Sequence, residues 1–185
     1  NCHKNLPIAI ANGFDVNSKN NNGETIFHNI FNSDHLPLAI SKGFFINSQD
    51  KEGNSIFHNN CNSNYLVFAI ENGFDINIHN NINETIFHQG NHSAHLEFAV
   101  ENGFDINFKN IDGNTIFNHG YHLEYLPRAI ERGFNINSIT VFRDLEFAIK
   151  NGYNINIHPL FSNLELAIEN GFNVNSRNNI QILYH

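Results

Sequence analysis

The chain has no tryptophan, no methionine and only two cysteines among its 185 residues. Cys2 and Cys61 form no CxxC pair and are too few for a disulfide framework, which excludes a disulfide-stapled scaffold and points to a reducing, intracellular and cytoplasmic setting. Charge is scarce as well: charged residues make up 15% of the chain and the formal net charge is -8. With no basic run, the field around the chain repels phosphate backbones, so nucleic acid is not an expected partner. No segment approaches the roughly 18–20 consecutive apolar residues that cross a bilayer, and no positively charged apolar leader is present, so no membrane partner is expected either.

Asparagine fills the polar deficit, at about a fifth of all residues. Apolar residues still reach 41%, enough for a folded core. The chain opens at Asn1 with NLPIAIANGF, which reads as the second half of a unit whose first half is missing, and the sequence is expected to be a fragment or a processed product.

Self-comparison exposes one motif many times: NGFDVN at 12–17, KGFFIN at 42–47, NGFDIN at 72–77 and again at 102–107, RGFNIN at 132–137, NGYNIN at 151–156 and NGFNVN at 170–175. The motif glycines Gly13, Gly43, Gly73, Gly103 and Gly133 are spaced by 30, and Gly152 and Gly171 follow at spacings of 19. Self-similarity at a fixed period of this size signals a repeat solenoid. The expected organisation is an incomplete first repeat over 1–17, four regular repeats over 18–137, two shortened repeats over 138–175 and a tail over 176–185.

A second motif recurs in phase, as TIFH at 25–28, SIFH at 55–58, TIFH at 85–88 and TIFN at 115–118. Ahead of each stands Gly23, Gly53, Asn83 or Gly113. Glycine and asparagine are the residues that tolerate a left-handed backbone, so this interchange predicts a tight turn with positive φ. Thr or Ser before an apolar pair is a helix N-cap signal and predicts a short first helix over about 25–31 and its equivalents. After a polar corner, Leu36, Ala39 and Ile40 mark one face of a second helix, with Pro37 or Pro127 in its first turn and a motif glycine as its stop.

With those residues in place, NIDGNTIFN and NNNGETIFH are similar to the DxxGxTPLH of ankyrin repeats, and HLEFAVENGFDIN is similar to the ankyrin second helix followed by GADVN. The resemblance covers about 1–137 well and 138–175 in part, and it implies an all-α repeat solenoid, an ankyrin-like stack of helix-turn-helix units with intervening turns or β-hairpins. The unit is shorter than the ankyrin unit of about 33 residues, and the missing residues fall at the corner between the helices. Where ankyrin repeats carry Leu-Leu-x-x-Gly-Ala, this chain carries Ala69, Ile70, Gly73 and Phe74, an exchange of large and small that conserves volume. In the shortened repeats Val141-Phe142 and Leu160-Phe161 are expected to be remnants of the first helix.

Of the twelve histidines, His88, His92 and His95 stand closest in sequence. His28, His58 and His88, however, occupy the TPLH position, whose histidine ties turns together, so the resemblance assigns them structural bonds and implies no metal and no cofactor. No recurrent Ser-His-Asp or Cys-His set and no phosphate-binding glycine loop is present, and the chain is not expected to be an enzyme. The row Leu38, Phe68, Phe98, Arg128, Phe147 and Leu166 is expected to pack between neighbouring helices, broken at Arg128.

The resemblance places partner contacts at the turn tips, here Asn21, Asn22, Lys51, Glu52, Asn81, Ile82, Ile111 and Asp112, and along the first helix, here Asn29, Asn59, Gln89 and His119. It implies a protein-protein interaction module, a basic segment of the partner being the complement of the negative field. Two rival expectations are a structural subunit that self-associates through open solenoid ends, and an accessory region of a larger effector or enzyme.

Overall fold

The computed structural model describes residues 5–58, 62–89, 91–118, 120–139, 145–157 and 164–173. Val141, Phe142, Leu160, Phe161 and both cysteines therefore lie outside the described residues. Regular structure within them consists of short helices: α1 (Leu6–Ala11), α2 (Leu36–Ser41), α3 (Leu66–Glu71), α4 (Leu96–Glu101), α5 (Leu126–Glu131), α6 (Leu145–Lys150) and α7 (Leu164–Glu169). Strand pairing among the described residues is reduced to two isolated antiparallel bridges, Gln49 with Ser55 and His79 with Thr85. The fold belongs to the all-α class.

Helices of six residues do not persist in water on their own, because nucleation costs more than so few hydrogen bonds return. Here burial holds them. Each of α2 to α5 buries a leucine and, three residues on, an alanine, as in Leu66 and Ala69, and one fully buried leucine contributes about 1.5–3 kcal/mol. Pro7, Pro37 and Pro127 lie in first turns, where the missing N–H has no intrahelical partner to lose. At the C-terminus of α2, Gly43 at φ 85° donates to Ile40 O at 3.0 Å while Phe44 N donates to Ala39 O at 3.0 Å. That pair of bonds is a Schellman motif, and it needs the left-handed conformation that glycine adopts without strain.

The first helix expected over 25–31 is not an α-helix, and the expectation is corrected. Ile26–His28 is a single 3-10 turn, followed by a second 3-10 stretch over Ile30–His35. At 56–58, 86–88 and 116–118 only one hydrogen-bonded turn remains, closed by His58 N to Ser55 O, His88 N to Thr85 O and Asn118 N to Thr115 O, each at 3.1 Å. The cause is local: the fourth residue turns its side chain back onto the N-cap and satisfies the turn on the spot. Asn29 then leaves in an extended conformation, φ -110° and ψ 131°, which ends the helix after three residues.

Two compact units make up the chain, the first formed by Asn1–Asp105 with Lys109–Asp112 and the second by Ile106–Phe108 with Gly113–His185. In the first, the TIFH-type phenylalanines pair with the phenylalanine after the motif glycine: Phe27 with Phe44, Phe57 with Phe74 and Phe87 with Phe104, centroids 4.6–4.7 Å apart and tilted by 56°. The second unit repeats the pair in Phe117 and Phe134 at 4.5 Å. These pairs account for the large residue that follows Gly43, Gly73, Gly103 and Gly133. Beyond them the second unit gathers Ile136, Leu145, Ala148, Tyr153, Ile155, Ala167 and Phe172 into one buried cluster. Leu38, Phe68, Phe98, Phe147 and Leu166 are half-buried and Arg128 is exposed, so the row expected between helices is only partly covered. Among the described residues no helix is long and apolar enough to cross a membrane.

Candidate functional site

The turn tips are built from one anchor residue each. In the first tip the Asn20 side-chain oxygen accepts from Asn22 N at 2.9 Å and Glu24 N at 3.0 Å. Asp50 accepts from Glu52 N and Asn54 N at 2.9 and 2.8 Å, and Asn80 from Ile82 N and Glu84 N at 3.1 and 2.9 Å. A short polar side chain bonding the backbone two and four residues on is an Asx-type turn, and it fixes the tip without a strand ladder. The positive φ predicted three residues after each anchor is present: 80° at Gly23, 82° at Gly53, 58° at Asn83 and 78° at Gly113.

Successive tips are stitched through the backbone. Lys51 N donates to Asn22 O at 2.9 Å, Asn81 N to Glu52 O at 2.9 Å and Ile111 N to Ile82 O at 3.1 Å. All of these residues belong to the first compact unit. The structure thus brings together Asn21, Asn22, Lys51, Glu52, Asn81, Ile82, Ile111 and Asp112, and all eight are exposed. Ile82 and Ile111 are 50% and 67% exposed, an apolar pair joined at the backbone. Asn81 is a partial exception to a binding role, because its amide nitrogen already donates to Lys51 O at 3.0 Å.

Asn29 is exposed and lines a cleft of about 510 Å³ together with Ser18, Lys19, Asn20, Glu24 and Thr25. Gln89 is exposed, with its amide donating to Glu84 Oε2 at 2.9 Å. Asn59 and His119 lie outside the described residues.

The histidines at the TPLH position are committed to the fold. His28 Nδ1 accepts from Thr25 N at 3.0 Å and its Nε2 lies 3.1 Å from Asn54 O. In the same way His58 Nδ1 accepts from Ser55 N at 3.0 Å and its Nε2 lies 2.8 Å from Glu84 O. A backbone N–H can only donate and a carbonyl can only accept, so each ring is held as the neutral tautomer with its proton on Nε2. Burial pushes both histidines below their ordinary pKa, opposed in part by the carbonyl bond and by nearby acids such as Asp50. His92 is buried in a left-handed conformation with Nε2 2.8 Å from Phe57 O and Nδ1 2.9 Å from Ser63 Oγ. Among the described residues no three His, Cys, Asp or Glu side chains converge as metal ligands.

One set of structural side chains lies in the repeated motif itself and is masked by the abundance of asparagine. The last asparagine of the glycine motif is a clasp that grips the next copy of the motif with both ends of its amide. Asn17 Nδ2 donates to Gly43 O at 2.9 Å and its Oδ1 accepts from Phe45 N at 2.7 Å. Asn47 grips Gly73 O and Asp75 N at 2.9 and 2.8 Å, and Asn77 grips Gly103 O and Asp105 N at 2.9 Å each. In the second unit Asn107 holds Gly133 O and Asn135 N at 3.2 and 2.9 Å, and Asn156 holds Gly171 O and Asn173 N at 3.3 and 2.9 Å.

No protein-family model matches the chain, and no curated protein matches it.

Proposed function

We propose that the chain is an ankyrin-like repeat solenoid acting as a non-catalytic protein-interaction module, with the row of turn tips as its contact surface. The observation that carries this reading is the separation of labour within each tip. Backbone groups and anchor side chains are spent on holding the tips to one another, while Lys51, Glu52, Ile82, Ile111 and Asp112 project outward and differ from tip to tip. A surface that is preorganised in this way loses little conformational freedom on binding, and its apolar pair with a charged surround has the composition of an interface centre and rim.

The net charge of -8 favours a partner that offers a basic segment. Both ring nitrogens of His28 and His58 are engaged by the chain itself, which supports a structural rather than a catalytic use of these residues.

The test is direct. Peptides captured from a displayed random library should be enriched in Lys and Arg with an apolar residue between them. The exposed-site variant Lys51→Glu/Ile82→Asp/Ile111→Asp, whose backbone stitches are untouched, should bind the captured peptides at least about tenfold more weakly, the loss of one modest hot spot. Affinity that is unchanged in this variant rules out the tips as the contact surface.

A further inference from the structure

Six Asn-Gly dipeptides occur in the chain, beginning at Asn12, Asn22, Asn72, Asn102, Asn151 and Asn170. Asn-Gly is chemically labile because glycine, lacking Cβ, lets its backbone nitrogen swing onto the preceding side-chain carbonyl carbon. Five of the six stand at helix ends and are restrained twice. Their amide nitrogens donate to the carbonyl four residues back: Asn12 to Ile8 at 2.7 Å, Asn72 to Phe68, Asn102 to Phe98 and Asn151 to Phe147 at 2.8 Å, and Asn170 to Leu166 at 2.9 Å. Each following glycine N–H donates to a helix carbonyl at 3.0–3.2 Å. The amide is turned back along the helix and the nucleophile is occupied.

Asn22 is different. It lies on an exposed tip, and no hydrogen bond holds its side-chain amide among the described residues. Its backbone is held, with Asn22 N donating to Asn20 Oδ1 at 2.9 Å, Asn22 O accepting from Lys51 N at 2.9 Å and Gly23 N donating to Asn20 O at 3.0 Å, so what separates Asn22 from the other five is the missing restraint on its side-chain amide.

We propose that Asn22 is a site of spontaneous deamidation and isoaspartate formation, and that the fold protects the other five Asn-Gly pairs. The Gly23 backbone nitrogen gives its proton to solvent base and attacks Asn22 Cγ, forming a new C–N bond. The bond from Cγ to the side-chain nitrogen breaks and that nitrogen leaves as ammonia, taking up a proton. Water then opens the cyclic imide. Cleavage at the side-chain carbonyl gives aspartate; cleavage at the backbone carbonyl gives isoaspartate, with the chain running through Cγ. The sum is asparagine plus water to a carboxylic acid plus ammonia, with no oxidant or reductant.

In the isoaspartate product the main chain lengthens by one methylene and runs through Cγ, and Asn22 O, the atom that receives Lys51 N, passes from the main chain into a free carboxylate. The stitch between the first two tips is thereby displaced, and the tip gains a negative charge. The new carboxyl group is also a substrate for methyl transfer by an isoaspartyl-directed carboxyl methyltransferase. The site follows from covalent chemistry and does not depend on the binding role proposed above.

The full chain is incubated in warm, mildly alkaline buffer and mapped by mass spectrometry with fragmentation that separates aspartate from isoaspartate, and by methyl labelling with an isoaspartyl methyltransferase. The Asn22 peptide should convert at least about tenfold faster than any of the other five, the factor that corresponds to holding one hydrogen bond closed. In denaturing urea the six rates should converge, and Asn22→Gln should remove most of the methyl label from the folded chain. Conversion at Asn22 no faster than at the helix ends overturns the proposal. Selectivity that persists in urea overturns it equally, because the fold would then not be its source.

Discussion

Gly53 and Gly113 have nearly the same backbone, φ 82° and 78°, but not the same surroundings, and their replacement by alanine separates two physical effects. A left-handed conformation costs an L-residue roughly 1–2 kcal/mol wherever it occurs. A Cβ on Gly53 would also stand 2.8 Å from Asn81 Oδ1, 2.9 Å from Asn81 N and 3.0 Å from Asn80 Cα, whereas a Cβ on Gly113 meets nothing within 4 Å. The backbone at 80–81 cannot retreat freely, because Asn81 N is bonded to Glu52 O and Asn80 holds its own turn. Overpacking of this kind costs about 1–3 kcal/mol. Gly113→Ala should therefore lose about 1–2 kcal/mol and Gly53→Ala about 2–5 kcal/mol. With a urea slope of about 2 kcal/mol/M, the shifts in midpoint differ by about 0.5–1.5 M. Asparagine in place of alanine relieves the backbone term alone, so Gly113→Asn should be close to neutral, as the natural Asn83 suggests, while Gly53→Asn keeps most of its penalty. Urea unfolding followed by far-ultraviolet circular dichroism measures all four. Equal shifts for the two alanine variants would refute the reasoning, since the Cβ contacts would then carry no energy.

Two further predictions concern the side chains that cross between repeats. The folded-state pKa of His28 and His58 lies below the ordinary 6.5, so below that pH the unfolded chain binds more protons than the folded one. Their stabilising contribution is complete above 6.5 and is lost as pH falls from there through the lowered folded value. The urea midpoint should be flat from about pH 8 to 7 and drop toward about pH 5, and His58→Asn, which reproduces the natural Asn118, should make that drop shallower; a midpoint that rises on acidification contradicts the assigned tautomer. Asn77→Ala should lose about 1–2 kcal/mol, two modest hydrogen bonds, and should speed hydrogen exchange at the Asp105 N–H; unchanged protection at that amide would show that the clasp does not hold.

What could be read in advance depended on whether a residue type is rare or common in this composition. Glycine is uncommon enough that its phase exposes the helix stops, and the single exchange of Gly for Asn83 marks the left-handed turn in the sequence itself. The clasp asparagines Asn17, Asn47, Asn77, Asn107 and Asn156 were hidden by abundance: where a fifth of the chain is asparagine, another one attracts no notice, although their fixed place five residues after each motif start was available. The extent of the first helix escapes the sequence for a different reason. Thr25 announces a helix start correctly, but nothing in a local cap signal records that His28 will turn back to close the cap, nor that Asn29 will leave in an extended conformation. The tip residues were legible as exposed, while the internal use of the Asn81 amide depended on a neighbour 30 positions away.

The clasp also bears on how such a chain can change length. In the second unit Asn107 reaches Gly133 across 26 positions and Asn156 reaches Gly171 across 15, with the same two atoms gripping the same two backbone groups. The joint is therefore indifferent to how much chain is looped out between its halves. Deletion or insertion within that interval alters what each repeat displays while leaving this joint in place. A lineage, or a designer, could trim or extend a single repeat while its neighbours stay in register.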